Sequence, residues 1–169
     1  MDLRETQAPL KEQYRSEPGS ASVTLSATAS SADENPMACS VDLGRAIIAA
    51  QAHAGVGGTG TAACSGDMLL AALAACAQLT CQMVAASSGI PLRAVRVTVE
   101  GDLDLRGTLG VSRSAPVGFS AIRARFELDA PDADERQRRS LERATEAYCV
   151  VMQTLRNAPA IETSWGDPA

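Results

Sequence analysis

"LLAALAACAQLTC", Leu69 to Cys81, is apolar on nearly every side yet holds two thiols, Cys76 and Cys81. Leu69, Leu73, Cys76, Thr80 and Met83 or Val84 recur at helical spacing along one face, while Leu70, Ala74, Ala77, Cys81 and Val84 fill the adjoining one. A helix that is apolar almost all round belongs at the centre of a fold. It is expected to begin at Ser65 or Asp67, because serine caps free amides and aspartate suits the positive N-terminal end of a helix dipole. It runs to about Ser87, where "SSGIP" stops it. Spacing alone leaves Cys76 and Cys81 as equally ordinary core residues, since a free cysteine is a small and often buried hydrophobe.

Outward from this helix, "SASVTLSATA" and "MACSVDLGRAI" alternate small polar and apolar residues on either side of the polar, proline-containing "SSADENP". That pattern predicts a β-hairpin. The glycine-rich "HAGVGGTGTAACSG" then delivers the chain to the helix as a loop. Beyond the helix, "LRAVRVTVEGDLDLRGTLG" turns Val95, Val97 and Val99 inward and Arg96, Thr98 and Glu100 outward, a strand and its continuation. "FSAIRARFELDA" repeats the pattern, with Ile122, Ala124, Phe126 and Leu128 inward and Arg123, Arg125 and Glu127 outward, which predicts a second hairpin. A charged helix follows from about Asp132, "DADERQRRSLERATEAYCVVMQTLRNAP", with Leu141, Ala144, Tyr148 and Val151 or Met152 on its buried stripe. Pro159 closes it, and "AIETSW" is expected to form a last short strand. Strands, helix, strands, helix, strand is an α+β order with segregated antiparallel strands.

The 169 residues suit one domain, preceded by an N-terminal extension, residues 1–19, that is partly helical or flexible. Apolar residues make up 46% but aromatic ones only 3%, so the core is built from Ala, Val, Leu and Ile, and burial between chains would add to it. A net charge of −5 offers no basic stripe for nucleic acid. The charged N-terminus lacks an apolar signal core, and no run of about 18 apolar residues stands out as a membrane span, so the expected location is cytoplasmic. Five cysteines without an export signal do not read as a disulfide framework. Lys11 is the single lysine; every other basic side chain is an arginine or His53.

Three motif readings fail on physical grounds. Gly55, Gly57 and Gly60 fit G-x-G-x-x-G, but a dinucleotide fingerprint needs its glycines directly between strand and helix and an acidic residue about 20 positions on, where this chain has Thr80. His53, the only histidine, precedes a glycine run that positions a general base poorly. Cys64, Cys76 and Cys81 form no C-x-x-C pair, and helical residues five apart point about 140° away from each other, which disfavours a metal site. Thiol redox chemistry demands less: one thiolate to attack an O–O bond, a second thiol to resolve the sulfenic acid, and apolar walls. Cys76 on one buried helix and Cys149 on the stripe of the other could supply the pair if those helices pack within the roughly 4.4–6.8 Å Cα separation of a disulfide.

"SGDMLLAALAACAQLT", "GIPLRAVRVTVEGDLDLRGTLG" and "ERATEAYCVVMQTLR", in this order within Ser20–Trp165, resemble the OsmC/Ohr family of organic hydroperoxide reductases. The resemblance implies an OsmC-like α+β fold, with antiparallel sheets wrapped around two central helices in an intertwined homodimer. It implies Cys76 as the peroxidatic cysteine, Cys149 as the resolving one, and Asp67 in the place of an acidic residue that holds an arginine against the thiolate. Alkyl or fatty-acid hydroperoxides would be reduced to alcohols, with a dithiol such as a lipoyl group as reductant and no metal or tightly bound cofactor. Cys39, Cys64 and Cys81 are then structural.

The chain departs from the family pattern in three places. Val150 follows Cys149 where proline is common, and it retains an amide donor that proline lacks. Asp67 is one methylene shorter than the frequent glutamate. The first hairpin loop, "TASSADENPMA", contains no arginine to lower a thiol pKa that is intrinsically about 8.5 and rises on burial. Arg45, Arg113 and Arg123 are the candidate replacements. The missing arginine also motivates an alternative, a non-catalytic OsmC-fold protein that binds a small hydrophobic ligand.

Overall fold

The computed structural model describes residues 28–31, 38–42, 47–110 and 112–166, together with residues 5, 7, 11, 13, 16 and 17. β1 (Thr28–Ser31), β2 (Ala38–Asp42) and β3 (Ile47–Gln51) form an antiparallel sheet in that order. "MACSVDLGRAI" is therefore not the single strand that its alternation predicted. Its ends lie in two antiparallel strands, with Asp42 and Ile47 as cross-strand partners; residues 43–46, between them, lie outside the described residues.

The glycine-rich stretch is a loop that closes on itself. The Gln51 amide donates to the Ala63 carbonyl at 3.0 Å, and the Thr59 and Thr61 hydroxyls donate to Gln51 Oε1 at 2.6 and 3.0 Å. At Gly58 a Cβ would fall 1.6 Å from the Ala52 carbonyl oxygen, so only glycine fits this return.

α1 (Ser65–Ser88) begins one residue after a capping box. The Asp67 amide donates to the Cys64 thiol at 3.5 Å and the Cys64 amide donates to the Asp67 carboxylate at 2.9 Å, so Cys64 rather than a serine is the cap. Gly89, at φ 66, ends the helix. β4 (Ala94–Leu103) follows, then α2 (Leu105–Thr108) in place of the expected strand continuation, then β5 (Phe119–Asp129). β4 and β5 pair antiparallel from Ala94↔Asp129 to Leu103↔Phe119. Val95, Val97, Phe126 and Leu128 pack inward against the core, while Arg96, Glu100, Arg123, Arg125 and Glu127 are exposed, as the alternation predicted. At Gly101 the Phe119 ring lies 2.5 Å from where a Cβ would stand.

The charged helix is two helices. α3 (Glu135–Tyr148) starts at an Asp134–Gln137 capping box, and α4 (Val150–Arg156) follows after Cys149, whose backbone is extended at φ −71, ψ 105. Tyr148 is not on the buried stripe. It is 72% exposed, and Thr145 and Cys149 are buried instead, because the positions four and eight after Leu141 are the ones that stay beneath the helix. Residues 158–166 form no strand, and their alternation meets no partner among the described residues. Ile161 and the sole tryptophan, Trp165, the latter 95% exposed, stand in solvent there.

The core has two parts. One gathers Cys81, Ala85, Ile90, Val95 and Leu141, and the other Leu73, Ala77, Cys149 and Met152. α1 serves both, packed along β4, α3 and α4. It is covered on one face only: Leu69, Leu79 and Met83 remain exposed, Leu79 by 58%. By length and composition α1 is apolar enough to cross a membrane, which corrects the expectation that no such segment exists. Scattered Ser, Gly, Thr and Gln residues hid it from a search for an unbroken run.

Candidate active site

The structure brings Cys76 and Cys149 together. Cys76 lies half-buried in mid-α1, and Cys149 is fully buried at the α3–α4 break, within the same cluster. Burial by itself pushes the Cys76 thiol up. Hydrogen bonds from the Val151 amide, the Cys149 thiol, the Thr80 hydroxyl and the Val150 amide more than offset this, and the Cys76 pKa lies below that of an ordinary thiol. Cys149 moves the opposite way, raised first by burial and then by the charge that its neighbour takes on. Of the two sulfurs, Cys76 therefore ionises first, and Cys149 stays protonated beside it as a donor.

The break after Cys149 makes this arrangement possible. The first amides of a helix have no acceptor within it. At the start of α4 two of them, on Val150 and Val151, are spent on the Cys76 sulfur. A dipole fades within about one turn, so the N-terminus of α1 cannot reach a thiol this far along, but the N-terminus of α4 is aimed at it from outside.

The other candidates take different places. Asp67 caps α1, about 13 Å along the helix axis from Cys76, and no described arginine pairs with it. Its carboxyl is held below the usual 3.8 by the Cys64 amide and thiol, with a small contribution from nearby His53. His53 itself accepts the Gly55 amide through Nδ1 at 3.0 Å in the closed loop. Arg123 is bound to Asp102 at 2.8 Å on the outer face of β5, and Arg113 is exposed in the loop after α2. Arg45 lies outside the described residues. Cys39 is in β2, and burial raises Cys81, which the Thr145 hydroxyl faces.

A cavity of about 440 Å³ adjoins the cluster that holds the two thiols. Leu73, Ile122, Phe126, Met152 and Leu155 line it, and the Glu146–Arg156 ion pair, at 2.9 Å, stands among its lining residues. Sequence reasoning missed Thr80 and the two valine amides. Thr80, four residues after Cys76 on the same helix face, was within reach of a spacing argument. The amides were not, because they depend on where the second helix breaks.

The OsmC-like protein family matches residues 58–164, which contain both thiols and the helices that carry them. The chain belongs to the OsmC-like protein family. No curated protein sequence matches it. Among solved structures it is similar to an OsmC-like protein from Mycoplasma pneumoniae, with a TM-score of 0.67 at 18% identity over 80% of this chain and 89% of that one. It is also similar to an organic hydroperoxide resistance protein OsmC from Legionella pneumophila, TM-score 0.60 at 19% identity over 80% and 91% of the two chains. An organic hydroperoxide resistance protein from Elizabethkingia anophelis superposes with a TM-score of 0.60 at 18% identity over 82% and 91%. The OsmC-like α+β fold is thereby established.

Proposed function

We propose that this OsmC-like protein is a cytoplasmic, thiol-dependent peroxidase that reduces organic hydroperoxides. One observation carries the reading: the Cys76 sulfur is the focus of two backbone amides, a hydroxyl and the Cys149 thiol, which together favour its thiolate. The Cys76 thiolate attacks the terminal peroxide oxygen, the O–O bond breaks, and the alkoxide leaves as the alcohol after taking a proton. Cys76 is now a sulfenic acid. The Cys149 thiol condenses with it, forming a disulfide and releasing water. A dithiol such as a lipoyl group then attacks that disulfide, restores both cysteines and becomes a cyclic disulfide itself.

The cavity that shares Leu73, Ile122, Phe126 and Met152 with the cluster around the thiols supplies apolar walls for the alkyl group. The exposed face of α1, with Leu69, Leu79 and Met83, is the surface that a homodimer would cover. Titration of thiols after one equivalent of an alkyl hydroperoxide tests the mechanism. A Cys76–Cys149 bond in the peptide map is expected, and its absence would sink the proposal.

A second reading is an OsmC-fold protein that binds a small hydrophobic ligand without turnover. What favours it is that no described arginine is seen at the Cys76 thiol, where several charge-neutral donors stand instead. The alkylation rate of Cys76 against pH separates the two. A midpoint clearly below that of a free thiol supports catalysis, and one at or above it supports the binding protein.

A further inference from the structure

In an unbroken helix each amide donates to the carbonyl four residues before it, so the partner of the Val150 amide would be the Glu146 carbonyl. Residue 150 is a valine, and unlike a proline it keeps an amide, for which two acceptors compete: that carbonyl and the Cys76 sulfur. At the end of α3 the Cys149 amide still donates to the Thr145 carbonyl, at 3.0 Å. The next carbonyl, that of Glu146, accepts instead from a side chain: Gln153 Nε2 donates to it at 2.7 Å.

Gln153 is oriented for this bond. Asn157 Nδ2 donates to Gln153 Oε1 at 3.2 Å and to the Gln153 carbonyl at 3.3 Å, which occupies the carboxamide oxygen and leaves its nitrogen to face Glu146. Gln153 sits on α4 one turn beyond Cys149, and its own amide donates to the Cys149 carbonyl at 2.9 Å. The Arg156 guanidinium meets Glu146 Oε2 at 2.9 Å, a second tie between the same two helices, but one that leaves the Glu146 carbonyl alone. A main-chain carbonyl at a helix break seeks a donor, and the nearest in sequence order is the amide four residues on. Gln153 supplies a substitute.

We propose that Gln153 is a positioning residue for the nucleophile: by occupying the Glu146 carbonyl in place of the Val150 amide, it stops α3 from running on and leaves that amide to the Cys76 sulfur. Gln153 is not itself among the donors to the sulfur, so its effect passes through the peptide group. Naming Cys76 the nucleophile rests on the peroxidase reading; the exchange of hydrogen-bond partners does not.

The test measures the pH midpoint of Cys76 alkylation, resolved by peptide mapping, in the wild type, Gln153→Met, Val150→Pro and the double variant, with folding followed by circular dichroism. Methionine matches the length of glutamine and has no donor. In Gln153→Met the Val150 amide is expected to turn to the vacated Glu146 carbonyl, and a thiolate that loses a donor titrates at higher pH. In Val150→Pro no amide is left to lose, so adding Gln153→Met is expected to move the midpoint no further. Equal shifts in the two backgrounds would overturn the assignment, since a residue that merely held α4 in place would act in both. Asn157→Ala, which frees the carboxamide without removing it, is expected to shift the midpoint the same way by less. If Gln153→Met raises the midpoint while not even the wild type consumes an alkyl hydroperoxide, the positioning role stands and the peroxidase reading falls. If the wild type consumes hydroperoxide and Gln153→Met leaves the midpoint where it was, water has satisfied the carbonyl and the positioning role alone falls.

Discussion

A thiol held by main-chain donors is tuned differently from one held by a guanidinium. Val150→Pro removes one of the two amides that meet the Cys76 sulfur, and it restores the residue common in the family at this place. Proline is tolerated at the first position of a helix, so the variant should fold. A hydrogen bond to a charged group stabilises that charged form, so the Cys76 pKa is predicted to rise when the Val150 amide is lost. The donors favour the charged form, so losing one moves the alkylation midpoint to higher pH. Iodoacetamide labelling across a pH series reads this directly. An unchanged midpoint would show that the Val150 amide does not act on the sulfur. Cys76→Ser and Cys149→Ser separate the two thiols: the first is expected to abolish peroxide consumption, and the second to leave one turnover with a sulfenic acid that dimedone traps.

Among the elements, α1 depends on its cap. Asp67→Ala is predicted to cost about 1 kcal/mol in denaturant unfolding, because the Cys64 amide loses its acceptor. The Asp67 pKa is lowered in the fold, so its contribution is full above the ordinary value of 3.8 and is lost as pH falls through the depressed one. A wild-type minus variant stability difference that shrinks only at such acid pH is the expected signature. In α3, Leu141→Ala is predicted to cost about 2–5 kcal/mol and Tyr148→Ala less than about 0.5, an ordering set by burial. Sequence reasoning made the reverse error at Tyr148. It placed the seventh residue after Leu141 on the stripe, whereas burial follows the fourth and eighth, Thr145 and Cys149. The inward faces of β4 and β5 were legible because strict alternation has only two solutions. The division into β2 and β3 was not, since the polar–apolar alternation of "MACSVDLGRAI" runs on without interruption across both strands.

Across the whole molecule, α1 is the element that remains half-covered. Leu79→Glu, at the centre of its exposed face, is predicted to convert a dimer into a monomer by light scattering, with secondary structure retained in circular dichroism. A wild-type monomer would leave that face without its proposed partner. The fold class was readable from the order of elements, but the terminal strand expected at "AIETSW" was not formed within one chain, because pairing depends on an edge that sequence cannot display. Of the candidate site, Cys76 and Cys149 entered through family resemblance and were then found in contact. The groups that make Cys76 acidic were legible only in three dimensions.

Two peptide groups that end on a sulfur also let the backbone report what happens to that sulfur. While Cys76 is a thiolate, the Val150 and Val151 amides are engaged and should exchange their protons with deuterated water slowly. Once the sulfur is shared with Cys149 its negative charge is gone, and both amides should exchange faster. Mass-resolved deuterium uptake in the peptide spanning the α3–α4 break would thus follow the redox cycle without any added label.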